Sequence, residues 1–293
     1  NLKLLKKTFK KHQPDYVFHL AAQALVKKSY LDPINTWQTN LMGTLNIIES
    51  LREVKNNCVA VLVTSDKSYK NLEISRGYKE NDILGGKDPY SASKGSAELA
   101  IQSHISSFFP LKSTKVLIGI GRAGNVIGGG DWSDNRLIPD CVRSWSKNKK
   151  VTIRNPNSTR PWQHVLEAVS GYLCLAANLK KNKKLHGEAF NFGPKSFKNY
   201  KVIKLVESMK KYWGKISWKI TANKSFYESG LLKLDCRKAK KFLKWQSVLN
   251  FNETVSMVAK WYKNYYKNNK KVKEIRRLQI KEYENLLKKR SIK

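Results

Sequence analysis

Short apolar runs recur along the first half of the chain, each bounded by polar residues. One lies around Val17, one is VAVLV at 59–63, and one begins at Val116. Runs of this length are typical of buried parallel strands, and the stretches between them are long enough for helices. This alternation predicts an α/β fold in which a parallel sheet is flanked by helices.

A helix is predicted from near Pro33 or Asn35 to Leu51. Beyond Asp131 the alternation becomes less regular, and the sequence predicts a smaller mixed α/β lobe. Further helices are expected at 139–145, 166–179, 202–212 and 254–262. Short strands are expected at 151–154 and 189–193, and the second of these is predicted to join the main sheet.

The formal net charge of +35 raises the alternative of a non-catalytic basic binding protein. The charge is spread from end to end, and lysine supplies most of it. Nucleic-acid surfaces tend to cluster their charge and to use arginine for two-pronged contacts. We therefore predict no specific nucleic-acid partner, and a diffuse positive surface that helps to attract an anionic ligand.

The basic tail at 266–293 carries apolar residues at near-helical spacing. It is predicted to form a terminal helix packed on the body of the protein, with a membrane-surface helix as the alternative. No apolar run approaches the ~20 residues of a membrane helix, so no membrane span is predicted. The widely spaced cysteines favour a reduced, metal-free cytoplasmic protein. They are Cys58, Cys141, Cys174 and Cys236.

The most informative candidate chemistry is the pair Tyr90 and Lys94. Residues four apart on a helix face the same side, and an ammonium near a phenol lowers the pKa of the phenol. Such a pair can take a proton from an alcohol. The spacing alone is not specific, because it recurs at Tyr200/Lys204 and Tyr266/Lys270.

Polar side chains also gather where two predicted strands end. The run TSDK at 64–67 follows one strand, and HLAAQ at 19–23 ends another. Open α/β sheets bind ligands at the carboxyl ends of their strands, and small residues let a flat ligand approach the backbone. The simpler alternative is that Thr64 and Ser65 bond turn amides and that Asp66 caps a helix. The convergence of several polar groups favours a ligand site.

Several longer motifs occur in a fixed order and resemble a known family. After HLAAQ come TN at 39–40, TSDK, and PYSASK at 89–94. This order resembles the extended short-chain dehydrogenase/reductases that act on nucleotide sugars. Within them, the branch of CDP-glucose 4,6-dehydratases is matched by LGGKDPY at 84–90, RAGNVIGGGDW at 122–132, RNP at 154–156, TRPWQHV at 159–165 and GLLKLD at 230–235.

The resemblance implies a Rossmann-like NAD-binding domain at 1–125, to which 159–195 returns. A substrate-binding lobe is then expected within 126–265, mainly at 126–158 and 196–265. Enzymes of this kind begin with a strand, a glycine-rich turn and a helix that hold the cofactor pyrophosphate. No such unit precedes Asp15, so an N-terminal truncation is expected, with the first βαβ unit missing. The GIGRAG run at 119–124 fits G-x-G-x-x-G, but a glycine loop follows it rather than a helix.

The resemblance also implies a reaction. NAD takes a hydride from C4 of the glucose unit, water leaves across C5 and C6, and the hydride returns to C6. Tyr90 accepts the C4 hydroxyl proton with help from Lys94, Ser65 hydrogen-bonds the sugar oxygen, and Asp66 is the candidate acid. Lys67 stands where dTDP-glucose relatives have a glutamate base, so the base that acts at C5 is left open. The residues implied to contact the cofactor are Ala21, Ala22, Gln23, Asn40, Thr64, Tyr90 and Lys94.

A nucleotide-sugar pyrophosphate calls for fork-shaped positive donors, which arginine provides. Arg160 is the leading candidate, with Asn125, Arg136 and Arg154 behind it. CDP-glucose is the implied substrate and a dimer or tetramer of identical chains the implied assembly. The nearer alternative is another nucleotide-sugar epimerase, dehydratase or decarboxylase of the same superfamily.

Overall fold

Within the residues that the structure describes, the main sheet consists of four parallel strands. The computed structural model describes residues 1–195, 199–221 and 231–291. The four strands of this sheet, in spatial order, are β1 (Tyr16–His19), β2 (Cys58–Val63), β3 (Val116–Ala123) and β8 (Ala189–Phe192). The predicted parallel sheet is thus confirmed, and the strand expected at 189–193 is its fourth member.

Helices precede and separate these strands. They are α1 (Leu2–His12), α2 (Val26–Leu31), α3 (Pro33–Trp37), α4 (Gly43–Leu51) and α5 (Pro89–Phe108). The single helix predicted up to Leu51 is interrupted by a π-helical turn at Gln38–Met42. Asp32 begins α3 by accepting a hydrogen bond from the amide of Asn35, and Pro33 occupies the first turn.

The core of this region forms where helices cover the sheet. Ile48 of α4 and Ile101 of α5 are fully buried against Leu62 of β2 and Ile118 of β3. Each such side chain contributes roughly 1.5–3 kcal/mol through burial of its apolar surface. The alternation of apolar runs and amphipathic helices therefore explains the layered arrangement.

Glycines inside β3 have a packing role. A Cβ at Gly119 would lie 3.2 Å from the side chain of Leu175, and one at Gly121 would lie 2.9 Å from the ring of Tyr172. Both partners belong to α7 (Val165–Lys181). Since β3 continues to Ala123 and no helix begins there, the glycines of the 119–124 motif serve close helix packing rather than phosphate binding.

The chain divides into two compact units. Unit 1 comprises Asn1–Gly124, Ser170–Phe192 and Leu234–Trp245, and unit 2 comprises Asn125–Val169, Gly193–Lys233 and Gln246–Lys293. The first boundary adjoins the one expected at 125. The returning segment is shorter than the expected 159–195, and the return of Leu234–Trp245 was not anticipated. Gly230, the first residue of the GLLKLD motif, lies outside the described residues.

Unit 2 combines helices with two-residue and three-residue strands. The described part of unit 2 contains the start of α7 and four further α-helices. They are α6 (Leu137–Trp145), α8 (Val202–Trp213), α9 (Phe251–Lys267) and α10 (Val272–Ser291). Its paired strands are β4 (Val126–Ile127) with β7 (Gln163–His164), β5 (Val151–Ile153) with β10 (Trp218–Ile220), and β6 (Thr159–Arg160) with β9 (Tyr200–Lys201). Val142, Met209 and Val258 lie in its core.

The basic tail forms α10 and packs within unit 2. Tyr283 is buried, and its hydroxyl donates to Oε2 of Glu167 at 2.8 Å. Arg290 pairs with Glu253 at 2.7 Å. These contacts anchor the tail to α7 and α9 through polar groups. Within the three described ranges, no helix combines the length and apolar character that crossing a bilayer requires.

Candidate active site

Helix α5 places Tyr90 and Lys94 in its first two turns. Asp88 caps the helix by accepting from the amide of Ser91 at 3.0 Å, and Pro89 follows it. Tyr90 and Lys94 are both buried, at 8% and 5% exposure. The helical placement predicted from the Tyr-x-x-x-Lys spacing is confirmed, because this segment has the cap that a helix start requires.

A short chain of hydrogen bonds joins Tyr90 to the end of β2. The Tyr90 hydroxyl donates to Oγ of Ser65 at 3.4 Å, and Ser65 donates to Oδ1 of Asp66 at 3.0 Å. Ser65 also accepts from the amide of Lys67 at 3.2 Å and so caps the short 3-10 turn Asp66–Ser68. The capping role and the contact with Tyr90 therefore belong to the same hydroxyl. A proton can pass along this chain from the phenol toward the carboxylate.

Asp66 is buried at 3% exposure and rests on a glycine. A Cβ at Gly124 would lie 1.8 Å from its Oδ2. Gly124 follows β3, the strand next to β2, so the sheet itself brings this backbone beneath the carboxylate. Close approach of a side chain to main chain is one reason for glycine at a fixed position.

The charge of Lys94 is held in a buried setting. Burial lowers the pKa of Lys94 to about 8, and the charge of Glu98 opposes that shift. Burial, with the charge of Lys94, also lowers the pKa of His19 to about 4. Desolvation disfavours the charged form of each base, which explains both directions. Near neutral pH, Lys94 is therefore an ammonium that is close to losing its proton, and His19 is neutral.

The hydrogen bonds fix the tautomer of His19. The Thr44 hydroxyl donates to the carbonyl of Asn40 at 2.7 Å, so it accepts from Nε2 of His19 at 3.2 Å. The neutral ring thus carries its proton on Nε2. His19 therefore packs at the end of β1 as a structural residue.

Two residues predicted to contact the cofactor, Asn40 and Thr64, have their side-chain groups engaged within unit 1. Asn40 accepts from the amide of Gln23 at 2.8 Å and donates to its carbonyl at 3.0 Å. Asn40 also donates to Ser93 on α5 at 2.9 Å, while Thr64 donates to Glu98 at 2.6 Å. The geometry assigns these side chains to shaping the strand ends. Ala21 is exposed and Ala22 half-buried, so the loop after β1 is open beside them.

Two residues at this site were missed by sequence reasoning. Glu98 is fully buried one turn beyond Lys94, where it pairs with the equally buried Arg122. Tyr172 is buried, and burial followed by the charges of Tyr90 and Asp66 raises its pKa. The i, i+4, i+8 spacing could have signalled Glu98. Nothing in the sequence near Tyr172 connects it with the strand ends.

The residues predicted to bind substrate all belong to unit 2. Arg136 pairs with Asp131 at 2.9 Å, and Arg154 lies close enough to Asp140 to lower that carboxyl's pKa, although burial dominates and raises it. Two others are constrained by their backbone setting. Asn125 has a positive φ of 52° and its carbonyl accepts from Gln163, while Arg160 is buried and donates to the carbonyl of Thr159 at 2.8 Å.

The two chance counterparts of the Tyr-x-x-x-Lys pair have different surroundings. Tyr200 stacks on Phe251 with ring centroids 3.8 Å apart. Tyr266 lies on α9 at 40% exposure, and Lys270 falls beyond the end of that helix. Neither arrangement has the strand-end hydroxyl and buried carboxylate that accompany Tyr90.

Comparison with known proteins places this geometry in a family. The sequence model of the family described as GDP-mannose 4,6 dehydratase matches residues 1–258. A curated CDP-glucose 4,6-dehydratase of Salmonella typhimurium is 44% identical over 263 residues, which are 88% of this chain and 73% of that protein. A UDP-glucose 4-epimerase of Mycoplasma pneumoniae is 24% identical, with 89% of this chain and 80% of that protein covered.

Solved structures share the fold. A dTDP-glucose 4,6-dehydratase of Bacillus anthracis, determined in complex with NAD, matches with a TM-score of 0.75 and 21% identity over 94% of this chain and 80% of that one. At this identity the likeness concerns the Rossmann-like architecture alone. The sequence match is both long and strong, and the chain therefore belongs to the GDP-mannose 4,6 dehydratase family within the extended short-chain dehydrogenase/reductases.

Proposed function

We propose that this protein is a hydro-lyase that converts CDP-glucose to CDP-4-dehydro-6-deoxyglucose with NAD as cofactor. The observation that carries the proposal is the buried chain from Tyr90 through Ser65 to Asp66, with Lys94 beside Tyr90 on α5. The 44% identity with a CDP-glucose 4,6-dehydratase supports the substrate. An epimerase is less well supported, since the identity there is 24% and inversion at C4 requires no acid for a C6 hydroxyl.

The residues present fit a nicotinamide cofactor at the strand ends of unit 1. The loop after β1 presents Ala21 and Ala22 to a flat group, and Gln23 and Asn40 hold that loop in place. Tyr90 and Lys94 supply a hydroxyl and an ammonium for polar contacts to ribose. When bound, NAD accepts a hydride from C4 and returns it to C6. Thr64 contributes to the wall of this proposed cofactor site, where its hydroxyl donates to Glu98 on α5.

The oxidation step assigns a proton to Tyr90. Its phenolate form accepts the C4 hydroxyl proton, and the Lys94 ammonium stabilises that form by its charge. Ser65 sits within hydrogen-bonding reach of the phenol and bonds the same sugar oxygen. The resulting C4 ketone makes the C5 proton acidic.

The elimination step assigns a proton to Asp66. The C5 proton leaves to a base, the C6 hydroxyl departs with a proton from Asp66, and one molecule of water and a C5=C6 double bond are formed. When hydride adds to C6, the base returns its proton to C5. Asp66 is buried against Gly124 and is held by the Ser65 hydroxyl, which fixes the position of the proposed acid. Lys67 follows Asp66 in the same turn and is a candidate base for C5, a role that requires its ammonium first to lose its proton.

Recognition of the nucleotide is assigned to unit 2. Arg160 is proposed to bind the pyrophosphate, with Asn125, Arg136 and Arg154 in supporting positions. The diffuse positive charge would draw the anionic substrate from solution. The free cysteines favour a cytoplasmic location for the reaction, and the chain is proposed to form a homo-oligomer.

Incubation with CDP-glucose and NAD tests the proposal, with mass spectrometry to follow the sugar nucleotide. The expected product is lighter than the substrate by one water. The Salmonella typhimurium relative serves as the positive control, and a form of this chain preceded by that relative's N-terminal segment is assayed in parallel. Intact CDP-glucose with every form except the positive control, together with turnover of a UDP- or GDP-sugar, would refute the assignment of substrate.

A further inference from the structure

Helix α5 carries a third polar residue on the side of Tyr90 and Lys94. Glu98 follows Lys94 by four residues, so the three side chains succeed one another turn by turn along the helix. Glu98 has no exposed surface. A carboxylate in such a position is costly unless its charge and lone pairs are satisfied.

Two strands of the main sheet satisfy Glu98. Arg122, near the end of β3, donates through Nε to both carboxylate oxygens of Glu98, at 2.8 and 2.9 Å. Its Nη2 also donates to Oε2 of Glu98. Thr64, directly after β2, donates its hydroxyl to Oε1 at 2.6 Å. The carboxylate thus joins α5 to both strands that end at the candidate active site.

Arg122 is itself held by several partners. Its Nη1 donates to the hydroxyl of Tyr69 at 2.7 Å and to the carbonyl of Glu80 at 2.9 Å. Tyr69 in turn donates to Asn191 of β8 at 2.7 Å. The side chains of this network are buried, and only the Glu80 carbonyl is contributed by a half-buried residue. Each donor has a defined acceptor, which makes the geometry of the network rigid.

Thr64 transmits this rigidity to Ser65. Its amide donates to the carbonyl of Gly121 at 2.9 Å, and its hydroxyl is fixed by Glu98. The main chain and the side chain of Thr64 are therefore both held in place. Thr64 directly precedes Ser65, which accepts from the Tyr90 hydroxyl. A shift of Thr64 would lengthen a contact that already stands at 3.4 Å.

Glu98 also acts on Lys94 by charge. Among the described residues, Glu98 on the same helix favours the charged form of Lys94, and the charge of Lys94 in turn acts on His19 at the end of β1. Because His19 is neutral near pH 7, Glu98 supplies the negative charge that favours the ammonium.

We propose that Glu98 is a positioning residue that fixes Thr64 and Ser65 against α5 and keeps Lys94 in its ammonium form. The proposal deepens the function proposed above and rests on it for the role of Ser65 and Lys94. The two tasks are separable, since Thr64→Val removes the hydrogen bond and keeps the charge, whereas Glu98→Gln removes the charge.

The test titrates Lys94 directly. In protein with carbon-13 at the lysine ε positions, NMR follows the Lys94 resonance, assigned with Lys94→Arg. In Glu98→Gln the midpoint of the Lys94 titration should fall by about one pH unit or more. In Thr64→Val this midpoint should not change. Glu49→Gln, at a surface ion pair of α4, is the matched control and should change nothing. If Glu98→Gln does not fold, Glu98→Gln/Arg122→Met removes both buried charges together and should give the same direction of shift.

Kinetics then separate the two tasks. With CDP-glucose, Thr64→Val should lower kcat by about tenfold, the equivalent of one hydrogen bond, without moving the pH profile. Glu98→Gln should move the alkaline limb of the profile to lower pH by the same interval as the NMR midpoint. An unchanged Lys94 midpoint in both variants at position 98 would overturn the proposal. If the native protein leaves CDP-glucose intact while the midpoint shifts, the proposed function fails and the electrostatic role of Glu98 stands.

Discussion

The carboxylate of Asp66 lies directly on the backbone of Gly124, where a Cβ would come within 1.8 Å of its Oδ2. The two residues are distant in sequence and meet because β2 and β3 are neighbours in the sheet. An acid that rests on main chain cannot turn toward that side. Its remaining freedom is directed to the hydrogen bond with Ser65.

Gly124→Ala should therefore displace Asp66. We expect a loss of about 1–3 kcal/mol in the free energy of unfolding from overpacking, and a fall in kcat of about 100-fold as the acid leaves its position. Gly43→Ala is the control, because a Cβ there would have 3.8 Å to its nearest neighbour and lies in a helix. Urea unfolding and turnover measured on the same preparations check both effects. Native turnover in Gly124→Ala would remove Asp66 from the mechanism.

Tyr90→Phe removes the hydroxyl that meets Ser65 while keeping the ring. Loss of a group that moves a proton in the rate-limiting step is expected to lower kcat by about 100-fold to 10,000-fold. Tyr266→Phe tests the chance counterpart on α9 and should retain native kcat. Steady-state kinetics of the two variants side by side give the comparison. Equal effects at both positions would contradict the assignment of the pair.

The alkaline side of the pH profile reports on Lys94. Its pKa is lowered to about 8, so the ammonium that assists Tyr90 is lost as pH rises through that value. We expect kcat to decline above pH 8, approaching about tenfold per pH unit. The profile measured from pH 6 to 9.5, with buffer overlap, checks this. A plateau that extends to pH 9.5 would show that the charge of Lys94 is not required.

Acid stability reports on His19. Its pKa falls from 6.5, the ordinary value of a solvated histidine, to about 4 in the fold, so the unfolded chain binds the proton first as pH drops. Stability from this residue is present above pH 6.5 and is lost between 6.5 and 4, by about 3 kcal/mol in total. His19→Gln keeps a donor near Thr44 and should flatten the stability profile in that window. Urea titrations at pH 7, 6 and 5 test it, and identical slopes for both proteins would contradict it.

His164 contributes to the same window. Burial lowers its pKa to about 4 as well, so part of the acid sensitivity will persist in His19→Gln. The residual slope should become smaller when His164→Gln is added, and His186, whose pKa is also lowered by burial, accounts for a further part of it. Additivity is expected because the two residues belong to different units.

The placement of Tyr90 and Lys94 was predictable because its causes are local. Asp88 and Pro89 begin α5, and the four-residue spacing fixes a common face. The parallel sheet was predictable for a similar reason, since β2 is an uninterrupted apolar run and β1 and β3 each begin with a shorter one. These features depend on neighbours in sequence.

The polar network behind the site was not predictable in the same way. Gln23 and Asn40 are predicted to contact the cofactor, and the sequence does not show that the Asn40 side chain also bonds the main chain of Gln23. Glu98 was overlooked although it lies on the same face of α5 as Lys94. Its partner Arg122 belongs to β3, and the order of the strands in the sheet decides which residues lie near β3. Hydrogen bonds across a sheet depend on tertiary placement, which residue type and spacing do not encode.

The most direct test follows one atom through the reaction. CDP-glucose carrying deuterium at C4 is incubated with the protein and NAD, and the product is examined by NMR. The account predicts a 4-keto product that carries the deuterium in its C6 methyl group. Deuterium that remains at C4, or a sugar that changes configuration without losing water, would contradict the dehydratase mechanism.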